Sequence, residues 1–416
     1  MEEKGNILII AKVMLPYTSS FGSSQRIYYL ANYLAEKGFH VTVMAEKTGK
    51  VNAELNAMER KYESYWLEGK PCFDTGILNT GIAKKISGQI FNEIYEKTAF
   101  QHYLWRVANT GEILGYIKKK KIQTVIISGP YFSVFGLCGK IKQRYRNVKV
   151  VLDYRDPWNL WNNAHGIANI LEHRNIRKCD KVVCFSEDFR RDMQKRFPAQ
   201  KGKYEVVYNG FCEKTWNGIE IKPTEHNRMV FKYIGDISFP AGKGDFRNPK
   251  DLIDAFLNIC KDRDVELQFI GVGQLTREMR MVEQKSKHKI SFCSPVTVSE
   301  SLRQMTEGDI LISIHDAGNQ SDKYILSAKL FDYLRSGKVV LNIGRAESAL
   351  SRFVKREGVG FFCENQRTTI EKKLVWLYDL WQKNGRFIEW ENRKFDCSIY
   401  SRERQNGKYM KLLKRL

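Results

Sequence analysis

The chain has 416 residues, 43% of them hydrophobic, and carries 69 Lys and Arg against 47 Asp and Glu, a formal net charge of +22. That length suits two domains of roughly 150–200 residues each, and that charge favours anionic partners such as nucleotide phosphates, lipid headgroups or nucleic acid. No apolar run approaches the ~18 residues of a membrane span, Met1-Glu-Glu-Lys lacks the profile of a signal peptide, and the nine cysteines include no C-x-x-C pair, which argues against a disulfide framework or zinc site. The chain is therefore expected in the cytosol.

The first half alternates strand and helix patterns. Asn6-Ile-Leu-Ile-Ile-Ala11 predicts an all-apolar strand, as a parallel sheet covered on both faces requires. The loop Ser19-Ser-Phe-Gly22-Ser23-Ser24 leads into a helix over 25–37, which Gly38 stops, and His40-Val-Thr-Val-Met44 is the next strand. Residues 46–121 are too long for a simple crossover and predict two helices. Ile82, Ile86, Ile90 and Ile94 recur four apart, beside aromatics up to Trp105 and Arg106. That stretch reads as a core-facing helix or as an apolar, basic face on a membrane surface. Thr124–Ser128, Val148–Leu152, Lys181–Phe185 and Tyr204–Tyr208 supply further strands.

The strand at 148–152 runs into Asp153-Tyr-Arg155-Asp156-Pro157-Trp158. A charged cluster at the carboxyl end of a strand sits where open α/β sheets bind ligands, though ion-paired strand ends gather there too. A polar stretch at 216–227 reads as a linker. Beyond it the alternation repeats: strands at 229–235, 265–271, 289–293, 309–314, 338–343 and 359–363, with helices at 251–260 and 329–336. Residues 401–416 carry six basic residues against one acid and read as an amphipathic helix. The expected organisation is a first parallel-sheet domain over 1–215, a second over 228–385, a cleft between their carboxyl edges, and a helical segment 386–416 packing back on the first domain.

Three places suit a diphosphate. Gly22, Ser23 and Ser24 precede a helix, where small residues let backbone amides approach an oxyanion. Gly235 leads into Gly242-Lys243-Gly244-Asp245-Phe246-Arg247, and Arg247 stands just before a helix start. Ser327-Ala-Lys329 opens another helix, with Lys329 a second phosphate cation and Asp332 placed to accept bonds from a vicinal diol such as a ribose. Turn chemistry and solvated surface cations account for the first two as readily. No G-x-S-x-G, H-E-x-x-H or Walker loop is present.

These residues resemble glycosyltransferase family 4, a retaining group with the GT-B fold of two Rossmann-like parallel-sheet domains facing across a cleft. The resemblance rests on Phe21-Gly22-Ser-Ser-Gln-Arg26, on Ile127-Ser-Gly-Pro130-Tyr-Phe-Ser133 followed by Asp153–Trp158, on Val206-Val-Tyr-Asn209-Gly210, and on Tyr233-Ile-Gly235, Arg247 and Ser327–Gly337. It implies a nucleotide-diphosphate-sugar donor held by the second domain, with Gly235, Lys243, Phe292, Ser327 and Asp332 as donor-binding residues. The acceptor, a glycan or polyprenyl-linked glycan, would meet the first domain. Arg247, Lys243 and Lys329 would stabilise charge on the leaving diphosphate, while Arg155 and Asp156 orient the sugar and acceptor hydroxyl. The leaving diphosphate takes the acceptor proton, so no enzyme nucleophile, cofactor or metal is implied, nor is nucleic acid.

Two departures stand out. Tyr324 occupies the place of a family glutamate that holds the donor sugar, so that role does not transfer. Asp236 stands where many members carry an arginine. The expected setting is the cytoplasm, at the inner face of the membrane, in cell-surface polysaccharide synthesis. Alternatives are a nucleotide-sugar epimerase on the same fold and a non-enzymatic basic binding protein.

Overall fold

The computed structural model describes residues 4–18, 21–68, 103–158, 166–221, 227–240, 247–315, 323–385, 388 and 395–416. It divides into two compact units, Met1–Tyr208 with Arg402–Leu416, and Asn209–Ser401.

The first unit is built on a seven-stranded sheet in the order β3-β2-β1-β4-β5-β6-β7. Its strands are β1 (Lys4–Ala11), β2 (Phe39–Lys47), β3 (Glu63–Glu68), β4 (Thr124–Ser128), β5 (Lys149–Asp153), β6 (Lys181–Cys184) and β7 (Tyr204–Val206). Every described pairing is parallel. The central strands β1, β4 and β5 are covered by helices on both faces, which is why they read as continuous apolar runs: Ile7 to Ala11 and Val125 to Ile127 are all buried.

Among its described residues, the segment 46–121 adds to the helices expected there a strand that the sequence did not predict. It contains a short helix, Ala53–Asn56, and the strand β3, before the helix Tyr103–Lys119. β3 is an edge strand, Glu-Ser-Tyr-Trp-Leu-Glu, with only Leu67 buried. An edge strand needs no unbroken apolar run, so the sequence pattern hides it. The isoleucine series Ile82–Ile94 lies outside the described residues.

The second unit has a six-stranded parallel sheet in the order β10-β9-β8-β11-β12-β13. The strands are β8 (Met229–Ile234), β9 (Val265–Ile270), β10 (Ile290–Cys293), β11 (Ile310–Ile314), β12 (Val339–Gly344) and β13 (Phe361–Glu364). Its core runs from Phe231 and Leu267 through Ile312 and Leu341 to Leu374 and Trp381, all but out of reach of solvent.

The division between units falls after Tyr208, ahead of the 216–227 stretch read as the linker, and Trp216 is buried. Of the terminal segment 386–416, only Arg402–Leu416 belongs to the first unit. There the helix Arg402–Lys414 lies along the helix Gln25–Glu36. The Asn406 amide donates to the Tyr29 carbonyl at 3.1 Å, and the Gln405 side chain accepts from the Tyr208 amide at 3.0 Å. Tyr409, Leu412 and Leu413 are buried in the first unit's core. The apolar face of this amphipathic helix is therefore spent on the fold, leaving Lys408, Lys411 and Lys414 exposed. Among the described residues, no helix is long and apolar enough to cross a membrane.

Candidate functional site

In each unit the strand order reverses once, between β1 and β4 and between β8 and β11. Ligands of open α/β sheets bind in the crevice at the carboxyl ends of such strand pairs.

At the first reversal a buried ion pair anchors the site. Arg26, in the first turn of its helix, donates from Nη2 to Asp153 Oδ1 at 3.0 Å and from Nη1 to the Val207 carbonyl at 2.9 Å. Asp153 ends β5, and its Oδ2 accepts from Ser128 Oγ at 2.9 Å. Both charges lie out of water, and each has further hydrogen bonds, as a buried pair requires. Arg155 reaches across this pair: its Nε donates to the Gly129 carbonyl and its Nη1 to the Ser23 carbonyl. It thus ties together the turns after β4 and β5 and the loop before the first helix. Burial pulls its pKa down, against the opposing pull of Asp156 and Asp153.

Asp156 makes no hydrogen bond to a described residue. Burial pushes its carboxyl pKa up, partly offset by Arg155 and Arg26. Of the two motif residues assigned to orientation of the sugar and acceptor, Arg155 holds backbone and Asp156 is the one with acceptor capacity to spare. The loop is also largely committed to its own shape. The Ser24 amide and hydroxyl both donate to the Phe21 carbonyl, at 3.0 and 3.3 Å. The Ser23 hydroxyl lies 2.7 Å from Thr18 Oγ, and Gly22 is exposed.

Sequence reasoning passed over Lys12, which follows β1 directly. It is buried, ion-paired with the buried Glu46 at the end of β2, and lies 5.8 Å from the ring centres of Trp105 and Tyr131. A lysine directly after an all-apolar strand at a strand-order reversal is the signal that would have found it.

At the second reversal β8 ends in Gly235, whose φ is +125°. A Cβ added there would overlap the Lys329 ammonium and stand 3.1 Å from its Cε, so a glycine is needed for the lysine to lie against the backbone. Lys329 is placed by its own helix, Ala328–Arg335. Tyr333, one turn on, accepts the Ile234 amide at its hydroxyl at 2.9 Å and so pins that helix to the end of β8. Lys329 Nζ then donates to Tyr233 Oη at 3.0 Å and sits 4.2 Å from the ring centre. Burial, with Arg247's charge beside it, holds the Lys329 pKa well below the usual lysine range; Asp236 acts the other way. Tyr233 is pushed up to about 12 by burial.

Arg247 is exposed, has φ of +64°, and precedes the helix Lys250–Ile259. Asp236 holds backbone. Its Oδ1 accepts the Gly273 amide at 2.8 Å and the Ile237 amide at 3.0 Å, so it braces the turns after β8 and β9. That is a physical account of an acid where family members carry a base.

The other candidates divide. Ser327 caps the helix Ala328–Arg335 without a side-chain bond to its backbone, and Asp332 lies half-buried on its second turn. Phe292 is packed in the core, stacked 5.0 Å from Phe269 with the rings 6° from parallel, and 6.4 Å from Phe239. Tyr324 is buried. Lys243 lies outside the described residues. Among those residues, no cluster of three or more His, Cys, Asp or Glu is placed to hold a metal ion.

Residues 22–212 match the sequence model of Glycosyltransferase Family 4, so the family resemblance holds across most of the first unit. No curated protein matches the chain by sequence. Among solved structures, the chain is similar to a glycosyltransferase from Rickettsia africae ESF-5, with TM-score 0.66 and 14% identity over 99% of this chain and 98% of that one. It is equally similar to sucrose-phosphate synthase from Thermosynechococcus elongatus, with TM-score 0.66 and 12% identity over 99% of both chains. The catalytic domain of starch synthase IV from Arabidopsis thaliana, solved bound to ADP and acarbose, aligns with TM-score 0.61 and 9% identity over 100% of this chain and 99% of that one. At these identities the structural likeness establishes the α/β fold of two parallel-sheet units.

Proposed function

We propose that this chain, which carries a family 4 glycosyltransferase domain on the two-unit GT-B fold, moves a sugar from a nucleotide-diphosphate donor to a glycan or lipid-linked glycan acceptor. The observation that carries this reading is the Lys329 ammonium lying on Gly235 with the Arg247 charge nearby. Two like charges drawn together at the carboxyl end of a parallel strand, one of them desolvated, are poised for an anion with several oxygens. A donor diphosphate meets that need, with Asp332 at the ribose and the open Ser327 cap at the phosphate.

In this account the bond between the anomeric carbon and the β-phosphate oxygen breaks while the acceptor hydroxyl oxygen bonds to that carbon. The acceptor proton passes to the departing diphosphate on the same face, giving retention. Lys329 and Arg247 stabilise the charge that grows on the diphosphate, the dominant electrostatic contribution in such a site. Asp156 is available to hold the acceptor hydroxyl. The +22 charge and the exposed lysines of the terminal helix favour an anionic membrane surface at which a lipid-linked acceptor of a cell-surface glycan resides.

The test is to incubate the full chain with a panel of nucleotide sugars and measure nucleoside diphosphate release with and without a polyprenyl-linked glycan. Release from one donor that rises with acceptor, with the sugar found on the acceptor, supports the reading. A converted nucleotide sugar with no diphosphate release would make the chain an epimerase. Absence of both, with no stabilisation by any nucleoside diphosphate, would leave a binding protein.

A further inference from the structure

The first unit contains a pocket of about 350 Å3 that neither strand-order reversal accounts for. It lies among the helices Tyr103–Lys119, Leu137–Arg144 and Ile167–Lys178, and four cations line it: Arg106, Lys140, Arg174 and Lys178. No carboxylate is among the described lining residues, and none of the four cations is ion-paired with a described residue. Several other cations of this unit are paired with acids: Lys12 with Glu46, Arg26 with Asp153, Lys142 with Asp180 and Arg196 with Glu172.

The walls hold these charges in place. Arg106 lies 4.6 Å from the Tyr103 ring centre, and a Cβ on Gly136 would overlap its guanidinium. Lys178 Nζ would be 3.3 Å from a Cβ on Gly139. Two glycines one turn apart thus let two cations rest against the Leu137–Arg144 helix and the turn before it. Burial pulls the Arg106 pKa down, and Arg174 opposes its charge as well. The pocket also reaches Trp158, which is 2% exposed and stacked on Phe132 at 5.6 Å with the rings 18° apart. Trp158 shares its turn with Arg155 and Asp156, so the pocket reaches the turn that carries them.

We infer that this pocket is a second anion site, which takes the phosphate or diphosphate group borne by the acceptor. Four convergent donors of one sign, two of them guanidinium forks, match the several oxygens of such a group, and the exposed Tyr103 ring offers apolar surface to what it is attached to. Naming the acceptor as the carrier rests on the proposed transfer reaction; the anion site stands without it.

The experiment is calorimetric titration of the full chain with inorganic pyrophosphate, alone and with saturating nucleoside diphosphate, for the wild type and for the double variant Lys140→Ala/Arg174→Ala. Both substituted side chains are exposed. Pyrophosphate binding that survives nucleotide and weakens at least tenfold in the double variant, whose nucleotide affinity is unchanged, is the expected result. Failure of pyrophosphate to bind, full competition by nucleotide, or equal affinity in the double variant would overturn the site. Vesicles containing polyprenyl diphosphate, set against phosphatidylglycerol vesicles of equal charge, assign the source: preference for the former, lost in the double variant, means a lipid-borne diphosphate, and no preference means a soluble phosphorylated ligand. If no nucleotide binds but pyrophosphate does, and the double variant loses it, the transfer reaction fails and this site remains.

Discussion

The Lys329 ammonium lies against the Cα of Gly235, in space that the side chain of any other residue at 235 would fill. Position 235 is therefore fixed by a neighbour 94 residues further along the chain as well as by its own φ of +125°. Gly235→Ala is expected to cost about 1–3 kcal/mol of stability through backbone strain. It should also cost roughly 10–100-fold in nucleoside diphosphate affinity, because the ammonium must move. Denaturant unfolding and calorimetry measure the two effects separately.

Proton uptake reports the state of Lys329. Its folded pKa is held below the unfolded value, mainly by burial. Between those two values the folded protein holds fewer protons than the unfolded chain, so this residue's contribution to stability rises with pH across that window. A bound diphosphate favours the ammonium and reverses the shift. At about pH 9, where a diphosphate is already fully ionised because its last pKa lies near 6, nucleotide binding is expected to take up protons. Titration in buffers of different ionisation enthalpy measures the uptake, and Lys329→Met should abolish it.

Arg247 combines the charge proposed for the donor diphosphate with a strained backbone, at φ of +64°. Arg247→Gly is expected to raise stability by up to about 1 kcal/mol while lowering turnover roughly 10–100-fold, through loss of one charge-assisted contact. Arg247→Ala should lose the same activity without the gain in stability. A glycine variant with wild-type turnover would remove Arg247 from the site.

Arg26 tests the first unit. Arg26→Ala leaves Asp153 buried without its counter-charge and is expected to cost about 3–5 kcal/mol. Asp153→Asn in the same chain should restore part of that loss, because the amide needs no counter-ion. A double-mutant cycle by denaturant unfolding measures the coupling.

Much of the fold was legible because parallel strands buried on both faces leave unbroken apolar runs, as at Ile7–Ala11 and Val339–Leu341. β3 was not, since an edge strand of Glu-Ser-Tyr-Trp-Leu-Glu has no such run. Within the sites, local pattern placed Arg247 and Lys329 before helix starts, because helix ends carry sequence signals. It could not show that Arg155 would bond the carbonyls of Ser23 and Gly129, or that Asp236 would bond the amide of Gly273. Those partners are brought together only by the sheet. Nor could local pattern show that the Phe292 ring would stack on Phe269. A strand residue of alternating pattern gives no sign of which face it serves.

The most direct measurement of the central claim is calorimetric titration of the wild-type chain, Lys329→Met and Arg247→Ala with a panel of nucleoside diphosphates. The account predicts that the wild type binds at least one of them and that each substitution weakens this binding roughly tenfold or more, about 1.4 kcal/mol. Binding by the two variants as tight as by the wild type would contradict it.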